Sequence, residues 1–307
     1  MAQKISVVIP NFNGKNLLKK NLPIVIKNCP SAEIIVVDDK STDDSVFMIR
    51  KEFKKVKLIK HNKNYGFAKA ANTGVTSAKN HLVLLLNSDV APKDNFIRPA
   101  VNHFKNKSNL FAVGLLDYSH EGSKIRVKGR GGAIFKRGLV LHFPLPPERA
   151  ETFWVSGGSG LFDRKKFLEL GGFDQIYKPF YWEDIDLSFR AQKSGYKCIF
   201  EPLSKVDHFH EEGAISTQKT ELSINITSYK NQFIFTWKNI TSYDLVLLHI
   251  FWLPFHMLKA SLSLNISFFI GFIWALEKLP ELIYNETMFK NHFIIPEKDI
   301  FKKYAKQ

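Results

Sequence analysis

The densest group of carboxylates in the chain is the run Trp182-Glu183-Asp184-Ile185-Asp186. Acids in the first turn of a helix meet the positive end of its dipole. That keeps a carboxylate ionised near neutral pH, as a general base requires, although plain helix capping uses the same residues. Asp186 and Arg190 stand four apart, the spacing of an ion pair along a helix face. Asn87-Ser88-Asp89 closes the most apolar run, Leu82–Leu86. A carboxylate there can bind a divalent metal that bridges a diphosphate, since hard cations take oxygen ligands and substrate phosphates. Asp38-Asp39 end another apolar run, and two adjacent acids can accept hydrogen bonds from a base N–H and ribose hydroxyls; capping of the following helix by Ser41 or Asp43 is the plainer use of this segment. Gly66-Phe67-Ala68 opens a helix after Asn64, where backbone N–H groups can face a phosphate. Late in the same region, His208 and His210 lie beside acids and are candidate metal ligands.

These residues need elements to hold them. Ile5–Ile9, Glu33–Val37, Lys57–Lys60 and Leu82–Leu86 read as strands buried on both faces, as in a parallel sheet. Helices fit between them: Phe67, Ala70, Ala71, Gly74, Val75 and Ala78 form one apolar stripe, and Ser45–Phe53 is a second helix. Such alternation predicts right-handed crossovers and an α/β, doubly wound, mostly parallel sheet with helices on both faces. Ligands of such sheets sit beyond the carboxyl ends of the strands. Pro10-Asn11, Asp38-Asp39 and Asn87-Ser88-Asp89 all fall there. Residues 116–153 read as loops with a short hairpin over the site, Asp184–Lys193 as a helix and Tyr196–Phe200 as a further strand.

The last third differs. Leu245–Leu258 and Ala260–Leu276 are uncharged runs, each shorter than the roughly 20 residues that cross a bilayer. The expectation is two regions: 1–220 as the α/β domain that carries these polar clusters, and 221–307 as an apolar helical extension. That extension is expected to lie in a membrane interface, with packing on the domain, oligomer contact or a spanning helix as the other readings. The excess of 44 Lys+Arg over 29 Asp+Glu gives a net charge of +15, which favours anionic partners. The lysines are scattered and no zinc-finger, basic-zipper or RNA-recognition signature organises them, so nucleic acid is not expected. Cys29 and Cys198 lack both disulfide-framework and metal spacing. The N-terminal MAQKISVVIP enters a strand at once without a secretory pattern, which predicts a cytoplasmic protein at the inner face of the cell membrane.

Taken in order, SVVIPNFNG, IIVVDDKSTDDS, NYGFAKAANTG, LLLNSD, VSGGSGLFDR, GGFD…YWEDIDLSFRAQKSGYK and VDHFH resemble the inverting family 2 glycosyltransferases of the GT-A fold. The similarity runs from about residue 4 to 216 and is nearest to rhamnosyltransferase-like, non-processive members that decorate bacterial surface polysaccharides. It implies that Pro10, Asp38 and Asp39 hold the nucleotide base and ribose, with Asn64, Gly66, Asn72 and Ser88 near the nucleotide. Asp89 would bind Mg²⁺ or Mn²⁺ on the donor diphosphate, with His208 or His210 completing the metal site. Asp184 would deprotonate the acceptor hydroxyl, with Glu183 as the alternative base, and Trp182, Gly157 and Gly158 would face the acceptor. The implied partners are a UDP-, dTDP- or GDP-sugar, a lipid-linked saccharide acceptor, an anionic membrane surface and a second copy of the chain. One departure is that the usual Asp-x-Asp reads Asn87-Ser88-Asp89, which removes one carboxylate from the metal seat. A processive synthase would carry Gln-x-x-Arg-Trp after the acid pair, and a sugar-1-phosphate nucleotidyltransferase a Gly-rich, Arg-containing N-terminal loop. Neither pattern is present. A non-catalytic sugar-nucleotide-binding or scaffold protein of the same fold is the alternative.

Overall fold

Aliphatic runs with no solvent on either face build the centre of the molecule. The computed structural model describes residues 4–105, 107–209, 219–285 and 293–305. β1 (Ile5–Asn11), β2 (Glu33–Asp38), β3 (Lys57–Lys60) and β4 (Leu82–Leu86) are parallel, in the order β3-β2-β1-β4. Between them run α1 (Lys15–Asn28), α2 (Ser45–Glu52) and α3 (Phe67–Ser77). The two-residue period of a strand sorts the side chains. Val7, Ile9, Leu82, Leu84 and Leu86 share a core with Leu18, Leu22 and Met48 on one face. Val8, Ile35, Val83 and Leu85 share another with Ala70, Ala71 and Val75 of α3. Gly74 allows α3 to sit that close, because a Cβ there would stand 2.2 Å from Val8 Cγ1.

The chain continues through β5 (Val90–Pro92), α4 (Ile97–Asn102), β6 (Leu110–Glu121), β7 (Lys124–Lys128), β8 (Gly131–Lys136), β9 (Leu139–Pro144), β10 (Ser159–Asp163) and α5 (Arg164–Glu169). A 3₁₀ turn at Gln175–Tyr177 leads to α6 (Glu183–Lys193) and β11 (Lys197–His208). The large sheet extends past β4 as β10-β6-β11-β5, with β10 antiparallel to both neighbours and β7 paired to β6. β8 and β9 form a separate antiparallel ribbon. The expected α/β sheet with helices on both faces is present.

Several boundaries differ from the sequence reading. Residues 116–153 hold strand as well as loop. β6 runs on to Glu121, and β7, with the alternating sequence KIRVK, is exposed at every position. β11 extends to His208, with a shift in register between Glu201 and Lys205 where it passes along β6. After α7 (Glu221–Asn239), α8 (Tyr243–Leu262) is one 20-residue helix that continues through Lys259. A lysine at the surface of a helix keeps its head in water without interrupting the backbone. By length and composition α8 could cross a membrane. α9 (Ile266–Leu276), α10 (Leu279–Asn285) and α11 (Glu297–Tyr304) complete the chain.

The boundary expected near residue 220 falls just ahead of α7 but does not separate two cores. Phe233 and Phe235 of α7 and Phe301 and Tyr304 of α11 share one cluster with Phe153, Tyr177, Trp182, Ile185 and Phe189. A polar hub runs through it. Asp186 is fully buried and accepts from Tyr177 Oη (2.9 Å), Arg190 Nε (2.8 Å), Lys238 Nζ (3.0 Å) and Asn239 Nδ2 (2.8 Å). The expected Asp186–Arg190 pair is thus a junction of α6, α7 and the turn before α6, and Arg190 also donates to Leu170 O and Gly172 O. Burial pushes the Asp186 carboxyl up, but Arg190, Lys238 and the Asn239 amide outweigh it and hold it well below the usual carboxylate range.

Asp186→Asn takes the Asp186 carboxylate from the buried Arg190 guanidinium, while Lys238 keeps Asp174, and breaking a buried pair from one side costs about 3–5 kcal/mol. Urea unfolding should register that loss at pH 7. The stability that Asp186 supplies is complete above the unfolded carboxyl value and is lost as pH falls toward its depressed folded one. The difference between parent and mutant should therefore shrink in acid.

Candidate active site

The carboxyl ends of β1, β2 and β4 meet at one edge of the sheet. Pro10 pairs with Val37 and Asn11 with Asp38. The Asn11 amide donates to Asp38 Oδ2 (3.0 Å) and Ser41 Oγ (3.2 Å), while Asp38 Oδ1 accepts from Ser41 N (3.1 Å). Asn11 Oδ1 is buried with no hydrogen-bond partner. Asp39 turns toward the start of α3: it accepts from Tyr65 N (3.0 Å) and Gly66 N (2.6 Å) and lies 2.6 Å from His61 Nδ1. Asp39 thus braces the turn just ahead of α3, whereas Asp43 receives Ser45 N at the entry to α2.

Two expectations meet a different geometry here. The Gly66 N–H, expected to face a phosphate, is taken by Asp39. Both ends of the Asn72 amide are committed to the Phe173 backbone, Nδ2 to its carbonyl (2.7 Å) and Oδ1 to its N–H (2.9 Å). Asn72 also lines a cavity of about 430 Å³ beside Asp174, Arg190, Trp237 and Lys238, which none of the other expected site residues touches. Asn64 is exposed, and its carbonyl accepts from Lys178 Nζ (3.2 Å). The Ser88 carbonyl receives the Asn21 amide at 2.8 Å.

Asp89 sits in the turn from β4 into β5 and is buried. β11 pairs with β5 so that His208 lies opposite Val90, and Phe209 N donates to Asp89 O (3.0 Å). His208 Nε2 comes within 3.2 Å of Asp89 Oδ1, and Nδ1 lies 2.7 Å from Asp117 Oδ2. Ser119 Oγ donates to the other Asp117 oxygen (2.9 Å). Burial opposes protonation of His208, but the two flanking carboxylates outweigh it and raise its pKa to about 9. The 3.2 Å approach is not aligned as a hydrogen bond, so Asp89 Oδ1 is a buried oxygen without a hydrogen-bond partner. An orphaned carboxylate oxygen beside an imidazole nitrogen, itself oriented by a second carboxylate, is a donor set that suits a divalent cation. Among the described residues no three His, Cys, Asp or Glu are placed to hold a metal ion by themselves, so a cation at Asp89 and His208 would need further oxygen ligands such as those of a phosphate. His210 lies outside the described residues. Asp117 was not singled out from sequence, yet it is an acid inside the apolar strand LFAVGLLDYSHE.

The acid pair begins α6. Tyr181 and Trp182, just before it, have φ of 70° and 76°, the left-handed region that is strained for residues other than glycine. Asp184 is half-buried; its Oδ2 accepts from Gly157 N (3.2 Å) and its Oδ1 from Ile185 N (2.8 Å). Burial raises its pKa, and these backbone N–H groups pull it back. Glu183 is buried, its Oε2 has no partner, and burial together with the Asp184 charge pushes its pKa up to about 8. Gly158, next to Gly157, offers its carbonyl to Asn87 N (2.9 Å). Two consecutive peptide units therefore tie the acid pair to the Asn87–Asp89 turn. Trp182, expected to face an acceptor, is only 3% exposed and packs against Phe235 and His142. The exposed aromatic beside it is Tyr181.

Residues 6–167 match the family model for glycosyl transferase family 2, and the chain belongs to this family. α6 and His208 lie beyond the matched stretch. Polypeptide N-acetylgalactosaminyltransferase 10 of Mus musculus is 24% identical over 227 residues, which cover 67% of this chain and 38% of that protein. The chain thus spans well under half the length of this relative. The structure of GalNAc-T7 with UDP, GalNAc and Mn²⁺ aligns with a TM-score of 0.65 at 21% identity, over 79% of this chain and 49% of that one. The mannosyltransferase PcManGT of Pyrobaculum calidifontis, in complex with GDP-Man and Mn²⁺, aligns at 0.54 and 15% identity, over 93% and 87%. At these identities the likeness establishes a shared GT-A fold.

Loss of an outer-shell partner of a metal ligand typically costs about 10–100-fold in affinity. Asp117→Asn should weaken Mn²⁺ binding by that amount in calorimetry with a nucleoside diphosphate present, while Asp38→Asn should leave the metal affinity much closer to the parent's.

Proposed function

We propose that this chain is an inverting glycosyltransferase that moves a sugar from a nucleotide-diphosphate donor to a hydroxyl of a saccharide acceptor. One observation carries the reading: Gly157 and Gly158 join the Asp184 carboxylate to the Asp89 turn, so a base and a diphosphate seat share one wall. Burial raises the pKa of both acids, that of Glu183 to about 8, and the Gly157 and Ile185 N–H groups offset part of the rise for Asp184. Asp184 takes the proton of the acceptor hydroxyl as its oxygen bonds to the sugar C1; the C1–O bond to the diphosphate breaks and the nucleoside diphosphate leaves with the electron pair. Asp89 and His208 would hold Mg²⁺ or Mn²⁺, which when bound offsets the charge of the departing diphosphate. Pro10, Asp38 and Asp39, at the carboxyl ends of β1 and β2, would hold the base and ribose of a UDP-, dTDP- or GDP-sugar.

A lipid-linked acceptor at the inner face of the membrane, in a rhamnosyltransferase-like step of surface polysaccharide synthesis, is the finer reading. The motif resemblance supports it, and so does α8. The inner face of that helix is fastened to the β8–β9 turn: His249 Nδ1 lies 2.6 Å from Gly138 O and His256 Nε2 2.7 Å from Arg137 O. Its outer face exposes Leu247, Ile250, Phe251, Leu258 and Leu262, with Arg137 and Lys259 beside them. A helix tethered along the domain in this way favours lying in the interface over spanning. Each large apolar side chain buried contributes about 1.5–3 kcal/mol, against about 1 kcal/mol for each nearby Lys or Arg at an anionic surface. The apolar ridge should therefore dominate the binding.

Three measurements test this reading. Asp184→Asn should lose about two to four decades of turnover, the usual general-base range; near-parent turnover in a folded mutant removes Asp184 from the role. Turnover should climb with pH as the acid pair ionises and level off above about 8. A donor panel assayed with and without Mn²⁺ that yields neither binding nor nucleotide release would favour the scaffold alternative. For the membrane, Phe251→Ser combined with Leu258→Ser and Leu262→Ser should abolish sedimentation with anionic vesicles, while moderate salt leaves the parent bound. A triple mutant that still sediments, or that changes from dimer to monomer without losing vesicles, assigns the ridge elsewhere or to a second copy.

A further inference from the structure

The turn that leads into the acid pair is held from outside by one helix. The Asn231 amide nitrogen, on α7, lies 2.8 Å from Tyr177 O, 2.9 Å from Phe180 O and 2.9 Å from Tyr181 O. Next to it, the Lys230 ammonium donates to Lys178 O at 2.5 Å. Three carbonyls around one nitrogen decide which end of the amide faces the turn. Asn231 is fully buried and its Oδ1 has no hydrogen-bond partner. An apolar side chain would leave no such oxygen, so packing alone does not account for an amide in this core.

The carbonyls it gathers belong to backbone that needs support. Tyr181 and Trp182 hold left-handed φ values of 70° and 76°, and α6 starts at the next residue. The direction in which Glu183 and Asp184 leave the turn is fixed by those two residues. Such strained backbone persists only where surrounding contacts over-determine it.

We infer that Asn231 is a positioning residue: its amide gathers the carbonyls of Tyr177, Phe180 and Tyr181 and so aims the Glu183–Asp184 pair at the acceptor hydroxyl. This rests on the reading of Asp184 as the base. Asp38, Asp39, Asp89 and His208 are carried by other elements, β2, the β4–β5 turn and β11. Donor binding is therefore separable from Asn231, whereas the chemical step is not.

The test compares Asn231→Ser, Asn231→Ala and Asn231→Asp with the parent chain and with Asp184→Asn, at a temperature where circular dichroism finds each folded. Serine keeps one donor, alanine none, and aspartate turns an acceptor toward the three carbonyls. A displacement of about 1 Å in a catalytic group can cost about a hundredfold in rate. The kcat of Asn231→Ala should fall by about that factor, with Asn231→Ser less affected and Asn231→Asp more. The KM for the donor and its calorimetric Kd should stay within about twofold of the parent's, because only the chemical step has lost its geometry. Amide exchange over residues 177–184 should quicken in the same order while β1 and β4 keep parent protection. A kcat loss matched by an equal loss of donor affinity overturns the inference, as does parent-like exchange of the turn in Asn231→Ala. Asp184→Asn separates the two readings. If it turns over normally, the base assignment fails and exchange alone decides whether Asn231 holds the turn. If it is inactive while Asn231→Ala is not, the base stands and the positioning role is wrong.

Discussion

Asp186 carries its charge where burial opposes it, and the half of the molecule around α6 is arranged to keep that charge neutralised. Arg190 answers it from the same helix, Lys238 and Asn239 from α7, and the Tyr177 hydroxyl from the turn ahead. Each partner is committed elsewhere as well: Arg190 to two carbonyls of the 170–172 segment, Lys238 to Asp174. A buried ion of this kind does little for net stability compared with a well-packed apolar core. What it supplies is a fixed geometry, since displacing any one arm leaves an uncompensated charge inside the protein. The acid pair sits two residues from this point and inherits that fixity.

The second constraint is electrostatic too, and it separates two carboxyl centres that do different work. At the β4–β5 turn, Asp89 and Asp117 flank one imidazole, so negative charge is concentrated and partly answered by a proton on His208. At the start of α6, Asp184 is met by backbone N–H groups while its neighbour Glu183 is left without a partner for one oxygen. The carboxylates of the two centres thus meet different partners, an imidazole at one and backbone N–H groups at the other. The Gly157–Gly158 peptide units keep the two centres in register.

Much of the donor half was legible in the sequence because its signals are local. Strands buried on both faces read as unbroken aliphatic runs, and the polar clusters follow them directly, as at Leu86 to Asp89. What stayed hidden depends on partners far along the chain. Asp117 meets His208 across 91 positions, so only the acid inside an apolar strand hinted at it. The protein partners of Asn72 and Asp39, Phe173 and the turn ahead of α3, could not be foreseen from spacing. Trp182, implied by the resemblance to face an acceptor, is buried against Phe235 of α7. α8 seemed too short because Lys259 was taken to end it, whereas a lysine can ride on the surface of a continuing helix.

The cluster shared by α6, α7 and α11 has a consequence for how such a chain can vary. Phe153 and Phe189 stack on Phe301 of α11, and the Tyr304 hydroxyl donates to Thr152 O. The helices after residue 220 are therefore not a detachable module that could be exchanged while the rest stays unchanged. The core between α3 and β1–β4 also takes in Leu187 and Ala191 of α6, and the β1–β4 half is thereby joined to the same helix. A substitution inside the cluster shared by α6, α7 and α11 is felt at the acid pair and in the tail at once, so the two segments must vary together.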